Sequence, residues 1–254
     1  MINKHLISMQ QQIQRLTMKI ARRILPRHRV SYAQRGEDII IQDIFNMIGI
    51  EKPLYLDIGA NDPVFGNNTY LFYANGSRGI CVEPNPKLAR RIITKRPQDI
   101  CLNAGITDGS DGTAKFYVFD NDSLSTFSEA QAKFLISNTS YKLSGEIIIP
   151  VMNINSLLLN HFSKSHLNFL SLDCEGNDLN ILKNMDFGLV SPDVICVETV
   201  ECAKEGCGEK NFSIIQTMQA NDYVAFADTY INTIFIHSAL TKYLKAVPKL
   251  YNGV

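Results

Sequence analysis

Apolar residues recur along this chain in two rhythms. Short continuous apolar runs predict strands over Leu54–Ile58, Gly79–Val82, Ile100–Asn103, Phe169–Leu172 and Val194–Val197. Between them, stretches with helical spacing predict helices over Thr69–Ala74, Pro86–Lys95, Leu179–Met185 and Phe212–Ala220. Pro86 suits the first turn of its helix, where a missing N–H costs nothing. Tyr223–Phe226 and Thr233–Ile236 read as a final antiparallel pair joined through Asp228–Asn232. Strands alternating with helices predict a mostly parallel, doubly covered α/β sheet with a closing antiparallel strand. Unbroken apolar strands are what a sheet buried on both faces requires.

Two regions depart from the alternation. Residues 120–150 are polar and Ser-rich apart from a possible extra strand just before them, Lys115–Phe119. They read as an insertion at the rim of the site or as an idle surface loop. Near the start, Ile2, Leu6, Met9, Ile13, Leu16, Ile20 and Ile24 share one helix face, and Pro26 ends it. The opposite face is rich in Gln and Arg. Such a helix could pack on the body, pair with a second copy, or rest on an anionic membrane surface. A disordered tail is the remaining reading.

Charge sharpens the division. The 254 residues carry 25 basic and 25 acidic groups. Seven of the basic groups and no acidic group fall within residues 1–30. The remainder holds 18 basic against 25 acidic groups, so a basic arm over 1–30 precedes an acidic body over 31–254. An acidic body opposes phosphate binding, which argues against a nucleic-acid partner. Of the six cysteines, Cys81, Cys101, Cys174 and Cys196 sit in apolar, strand-like runs, and none of the six forms a C-x-x-C pair. That pattern fits a reducing compartment. Without a secretory leader or an apolar run of about 18 residues, the expectation is a cytoplasmic protein, at most peripheral to the inner face of the membrane.

Parallel α/β sheets bind ligands at the carboxyl ends of their strands. Those ends carry Asp57, Gly59, Ala60 and Asn61; Glu83; Asn103; Asp173 and Glu175; and Glu198. The first turn, D-I-G-A-N-D, has one glycine where a dinucleotide fold carries three, which argues against a pyrophosphate ligand. Glu83 lies 26 residues beyond Asp57, where a carboxylate accepts hydrogen bonds from both ribose hydroxyls. NAD and S-adenosylmethionine share that requirement. The missing glycines favour S-adenosylmethionine, and an NAD-dependent oxidoreductase is the alternative.

The ordered stretches Y-A-Q-R-G-E-D (32–38), Y-L-D-I-G-A-N-D (55–62), N-T-Y-L-F-Y (68–73), G-I-C-V-E-P-N-P (79–86), L-N-A-G-I (102–106), S-L-S-T-F (123–127) and N-F-L-S-L-D-C-E-G-N-D (168–178) resemble the FkbM family of methyltransferases. The resemblance covers roughly residues 31–237. It implies a Rossmann-like class I methyltransferase fold, S-adenosylmethionine as donor, and most often O-methylation of a sugar or polyketide-type hydroxyl. Asp178, where the family often has Glu, and Gly105, where it often has Ala or Val, are departures. Neither removes the cofactor site.

On this reading Asp57 and Gly59–Asn61 cradle the methionine end and Glu83 holds the ribose. Asn85 and Asn103 line the adenine pocket or serve as caps. The resemblance places Gln34 and Glu37 at a lid or cofactor edge. Asp173, also a candidate cofactor contact, or Glu175 is the candidate base, since an acid buried among acids has its pKa raised. Both could instead only hold acceptor hydroxyls. Asp173, Glu175 and Glu198 could hold Mg²⁺, but no spacing demands a metal. His161, His166 and His237 read as structural or surface residues, with His237 the one to test. Ser123, Ser125 and Thr126 could touch a polar acceptor. A non-enzymatic partner-binding protein with a vestigial cofactor site is the third reading.

Overall fold

The computed structural model describes residues 29–174, 176–200, 208–244 and 250–251. The chain divides into Met1–Ser31 and Tyr32–Val254. The basic helix expected over the first 25 residues lies outside the described residues. The body starts with α1 (Glu37–Ile48), β1 (Tyr55–Ile58), α2 (Tyr70–Ala74), β2 (Gly79–Val82), α3 (Pro86–Lys95) and β3 (Ile100–Leu102). Next come β4 (Gly105–Thr107), β5 (Gly112–Phe119), a 3-10 turn at Asp122–Leu124, α4 (Glu129–Asn138), β6 (Leu143–Asn153) and α5 (Ile154–Phe162). It closes with β7 (Phe169–Leu172), α6 (Asp178–Asn184), β8 (Val194–Glu198), α7 (Phe212–Ala220), β9 (Tyr223–Asp228) and β10 (Asn232–His237).

The main sheet has seven strands in the order β3-β2-β1-β7-β8-β10-β9. Its first five are parallel, and β10 runs antiparallel to β8 and β9. Side chains alternate across each strand. On one face Leu56, Ile58, Leu170, Leu172, Ile195 and Val197 meet α5, α6 and α7 through Leu157, Ile181 and Ile215. On the other, Tyr55, Phe169, Val194 and Ile234 meet Ile41, Ile44 and Phe45 of α1 and Phe72 of α2. Each fully buried Ile or Leu contributes about 1.5–3 kcal/mol, so the central strands are held from both sides.

Residues 120–150 are not a plain loop. The 3-10 turn, α4 and β6 occupy them, and β6 pairs with β4 and β5 in a second, three-stranded sheet. Tyr117, Phe119, Ala132 and Leu135 form its own small core. Ser128 caps α4 by accepting from the Gln131 N–H. Sequence reasoning also passed over most of α1 and all of α5. No helix among the described residues is long and apolar enough to cross a membrane.

Candidate functional site

A cavity of about 790 Å³ opens at the carboxyl edge of β1, β2 and β7. That size falls within the ~300–1,000 Å³ usual for small-ligand sites. Its floor is the turn after β1. Gly59 has φ +77°, and a Cβ there would stand 1.8 Å from the carbonyl oxygen of Asp173. Only glycine meets both conditions without strain. The N–H groups of Gly59 and Ala60 donate to the Val82 carbonyl at 3.0 and 3.2 Å, locking the turn to β2. Asn61 is also left-handed, at φ 47°, a conformation Asn tolerates better than most residues.

Glu83 lines the cavity although it is only 4 % exposed. Its two oxygens accept from separate backbone amides, Asn61 at 2.8 Å and Asn85 at 2.7 Å. Burial pushes its carboxyl pKa up to about 7, against the pull of those amides, with Asp57 and Asp122 adding to the rise. The carboxylate is oriented by the backbone and keeps lone pairs for a vicinal diol.

Asp57 does not line the cavity. It shares the face of β1 with Tyr55 and lies buried beneath the turn. Its carboxylate accepts from Thr69 Oγ1 at 2.6 Å and Asn67 Nδ2 at 3.1 Å, with Arg96 at 3.8 Å. Burial pushes its pKa up, opposed by Arg96 and by hydrogen bonds from Thr69, Asn67 and Ser171. Asn67 Nδ2 also donates to the Ala60 carbonyl at 2.9 Å, so the network props the turn from below. Arg96, fully buried, is its hub. It donates to Asp99 at 2.8 Å, Tyr55 Oη at 3.0 Å, Thr69 at 2.9 Å and Asn67 Oδ1 at 3.2 Å. Asp99 also accepts from Tyr55 Oη at 2.6 Å and the Gly79 N–H at 2.9 Å. Sequence reasoning missed Arg96 and Asp99. R-P-Q-D carries no motif, and only the fold brings the pair under β1.

Asn85 and Asn103 stand behind the cavity wall rather than on it. Asn85 Oδ1 caps α3 through the Lys87 N–H at 3.0 Å, and its Nδ2 donates to Asp122 at 3.2 Å. Asn103 Nδ2 donates to the carbonyls of Glu83 and Pro84, each at 2.9 Å. The wall itself is Pro84, Leu88, Ala104 and Gly105. Part of the opposite wall comes from the 120–150 region, with Ser123, Ser125, Thr126 and Phe127 on the cavity. Asn61 Nδ2 donates to Ser123 Oγ at 3.1 Å, tying the turn after β1 to that wall.

Gln34 is exposed, Glu37 is buried, and neither lines the cavity. Glu37 accepts from the Arg35 N–H at 2.8 Å, Thr229 Oγ1 at 2.6 Å and Asn232 Nδ2 at 2.9 Å. It ties the start of α1 to the β9–β10 turn, so a lid contact through its carboxylate is not what the structure provides. Asp173 lines the cavity and is exposed. The burial invoked to raise the pKa of a base at this edge is therefore absent at Asp173. Glu175 lies outside the described residues. Asp178 braces the chain after β7, accepting from the N–H groups of Cys174 at 2.8 Å and Gly176 at 3.3 Å. Its shorter reach suffices for that.

Glu198 ends β8 and does not line the cavity. Among the described residues no group of three or more His, Cys, Asp or Glu is placed to hold a metal ion. His237 stands at the opposite edge of the sheet. Its ring caps the Ala239 N–H and packs edge-on to Tyr223, and its own N–H donates to the Asp193 carbonyl ahead of β8. It is a structural residue, not one to test for chemistry. His166 pairs with Asp193 at 2.9 Å at that same edge.

Residues 57–225 match the family model described as the methyltransferase FkbM domain. The chain belongs to the FkbM methyltransferase family. Its fold is the class I methyltransferase fold and its methyl donor is S-adenosylmethionine, which the oriented carboxylate of Glu83 and the bare backbone at Gly59 fit. Similar solved structures are distant in sequence. The methyltransferase FkbM of Methylobacillus flagellatus is 10% identical at TM-score 0.43, over 73% of this chain and 44% of that one. This chain thus spans less than half the length of that protein. A TehB-like SAM-dependent methyltransferase of Corynebacterium glutamicum is 9% identical at TM-score 0.42, over 91% and 99%. An O-methyltransferase of Bacillus cereus in complex with SAH is 13% identical at TM-score 0.38, over 87% and 88%. No curated protein matches the chain.

Proposed function

We propose that this FkbM-family methyltransferase methylates a hydroxyl oxygen of a sugar or glycan, a glycolipid or a secondary metabolite. One observation carries the reading. An exposed carboxylate, Asp173, stands on the cavity with its own carbonyl against the Gly59 turn.

When bound, S-adenosylmethionine supplies an electrophilic methyl group on a sulfonium sulfur. Gly59, Ala60 and Asn61 would take the methionine end, and Glu83 the two ribose hydroxyls. Pro84, Leu88 and Ala104 would face the base. Asp57 would position the turn through Asn67 and Thr69, while Asn85 and Asn103 hold the wall. Glu37 and Gln34 would act from the rim, Glu37 by fixing the β9–β10 turn. Asp173, or Glu175 two residues on, would accept the proton of the acceptor hydroxyl. In that step the oxygen–methyl bond forms, the sulfur–methyl bond breaks, and S-adenosylhomocysteine leaves. Such a base contributes about 10²–10⁴-fold, and alignment supplies much of the remainder. The seven cations of residues 1–30 suit an acceptor presented at an anionic membrane surface.

Mass spectrometry of surface glycans and lipids from cells with and without the gene tests the acceptor class. The expected result is loss, in the deleted strain, of species heavier by one CH₂ per site. Identical spectra alongside intact S-adenosylmethionine binding would remove glycans and lipids as acceptors.

A further inference from the structure

The cavity does not stop at the wall beside Glu83. It continues past the face of the three-stranded sheet that carries Ala114 and Phe116 into an apolar slot lined also by Phe127, Ala130, Phe134 and Val151. Gly105 and Phe127 set its mouth. A Cβ at residue 105 would stand 2.4 Å from Cζ and 2.7 Å from Cε2 of the Phe127 ring. The three atoms such a Cβ would meet first all belong to that ring, and none is backbone. Any side chain at 105 must therefore displace the ring rather than the strand. The ring is backed by Phe116, with centroids 4.7 Å apart. Ala114 and Ala130 carry no side chain beyond Cβ, so apolar space remains between the aromatic residues.

We propose that Gly105 and Phe127 determine what the site accepts at the adenosine end, and that the slot takes an apolar substituent on the adenine edge. The inference rests on the cofactor placement above. With the methionine end at Gly59–Asn61 and the ribose at Glu83, the base would lie beyond Glu83, toward Ala104 and Phe127. A group carried on the base is then directed into the slot, where it buries apolar surface. A Cβ-branched residue at 105 pushes the Phe127 ring off the strand and narrows the mouth. Removing that ring reopens it.

Calorimetric titration of the full chain with S-adenosylhomocysteine and with its N6-benzyl analogue tests this. The wild type should bind both ligands with affinities within about tenfold. Gly105→Val should weaken the analogue at least about tenfold more than the parent. Gly105→Val combined with Phe127→Ala should restore the analogue. Thermal melts establish that each variant is folded, and Gly105→Ala is the smaller step if the valine is not tolerated. Wild-type protein that binds the parent but refuses the analogue overturns the inference while leaving the cofactor site intact. Equal losses for both ligands in Gly105→Val also overturn it. Failure to bind either ligand overturns the inference and the cofactor placement together.

Discussion

The carbonyl oxygen of Asp173 occupies the place a side chain on Gly59 would need, 1.8 Å from an ideal Cβ. The ends of β1 and β7 are thereby fixed against each other with no room between them. Gly59→Ala meets backbone there, and at φ +77° it adds conformational strain of about 1–3 kcal/mol. The turn must move, so S-adenosylmethionine affinity should fall about tenfold or more, together with the melting temperature. Titration calorimetry and a thermal melt check both. Wild-type affinity in Gly59→Ala would show that the turn does not shape the cofactor site.

Arg96 is the one cation in a fully buried cluster with Asp57 and Asp99. Arg96→Met strands two carboxylates and should cost about 3–5 kcal/mol in chemical denaturation. Arg96→Lys should recover little, because an ammonium cannot reproduce the planar fork that reaches Asp99, Tyr55, Thr69 and Asn67 at once. A loss below about 1 kcal/mol for the methionine variant would contradict the prop assigned to this network.

Glu83 gives the site a pH dependence of defined sign. Its folded pKa, about 7, is raised above the ordinary 4.5, so the folded state holds a proton that the unfolded state has released. Its contribution to stability is fullest below about pH 4.5 and is lost as pH rises through 7. Binding runs the other way, since donors on a ribose favour the carboxylate. S-adenosylmethionine affinity should rise with pH through 7, and Glu83→Gln should flatten both trends. Calorimetry and melts across pH 5–8 read them. An unchanged pH profile in Glu83→Gln would assign the dependence elsewhere.

Asp173→Asn keeps the shape of the cavity edge and removes the proton acceptor. Methyl transfer should fall about 10²–10⁴-fold while S-adenosylmethionine affinity stays within a few-fold. Mass spectrometry of complemented cells gives the first and calorimetry the second. Full methylation with Asp173→Asn would move the base to another residue.

The sequence and the structure agree where local chemistry is strong. The end of β2 and the start of α3 were legible from G-I-C-V-E-P-N-P, because an apolar run, a terminal acid and a proline in the first helical turn each act locally. Asn85 and Asn103 stood at the right strand ends, but their roles depend on where each amide turns, and both turn to backbone. Asp57 reads as a cofactor residue because it lies near the carboxyl end of the first apolar run. Strand alternation, which puts it on the face of Tyr55, sends it beneath the turn instead. Arg96 and Asp99 were invisible because their partners are brought together only by packing. The elements within 120–150 escaped because β6 is half exposed and alternates polar with apolar residues, and α4 buries only Ala132 and Leu135.

The claim on which the rest depends is that Glu83 holds the cofactor. Titrating S-adenosylmethionine into wild type and into Glu83→Ala tests it most directly. Saturable binding to the wild type, lost in a folded Glu83→Ala protein, is the expected result. Equal affinity in both would contradict it.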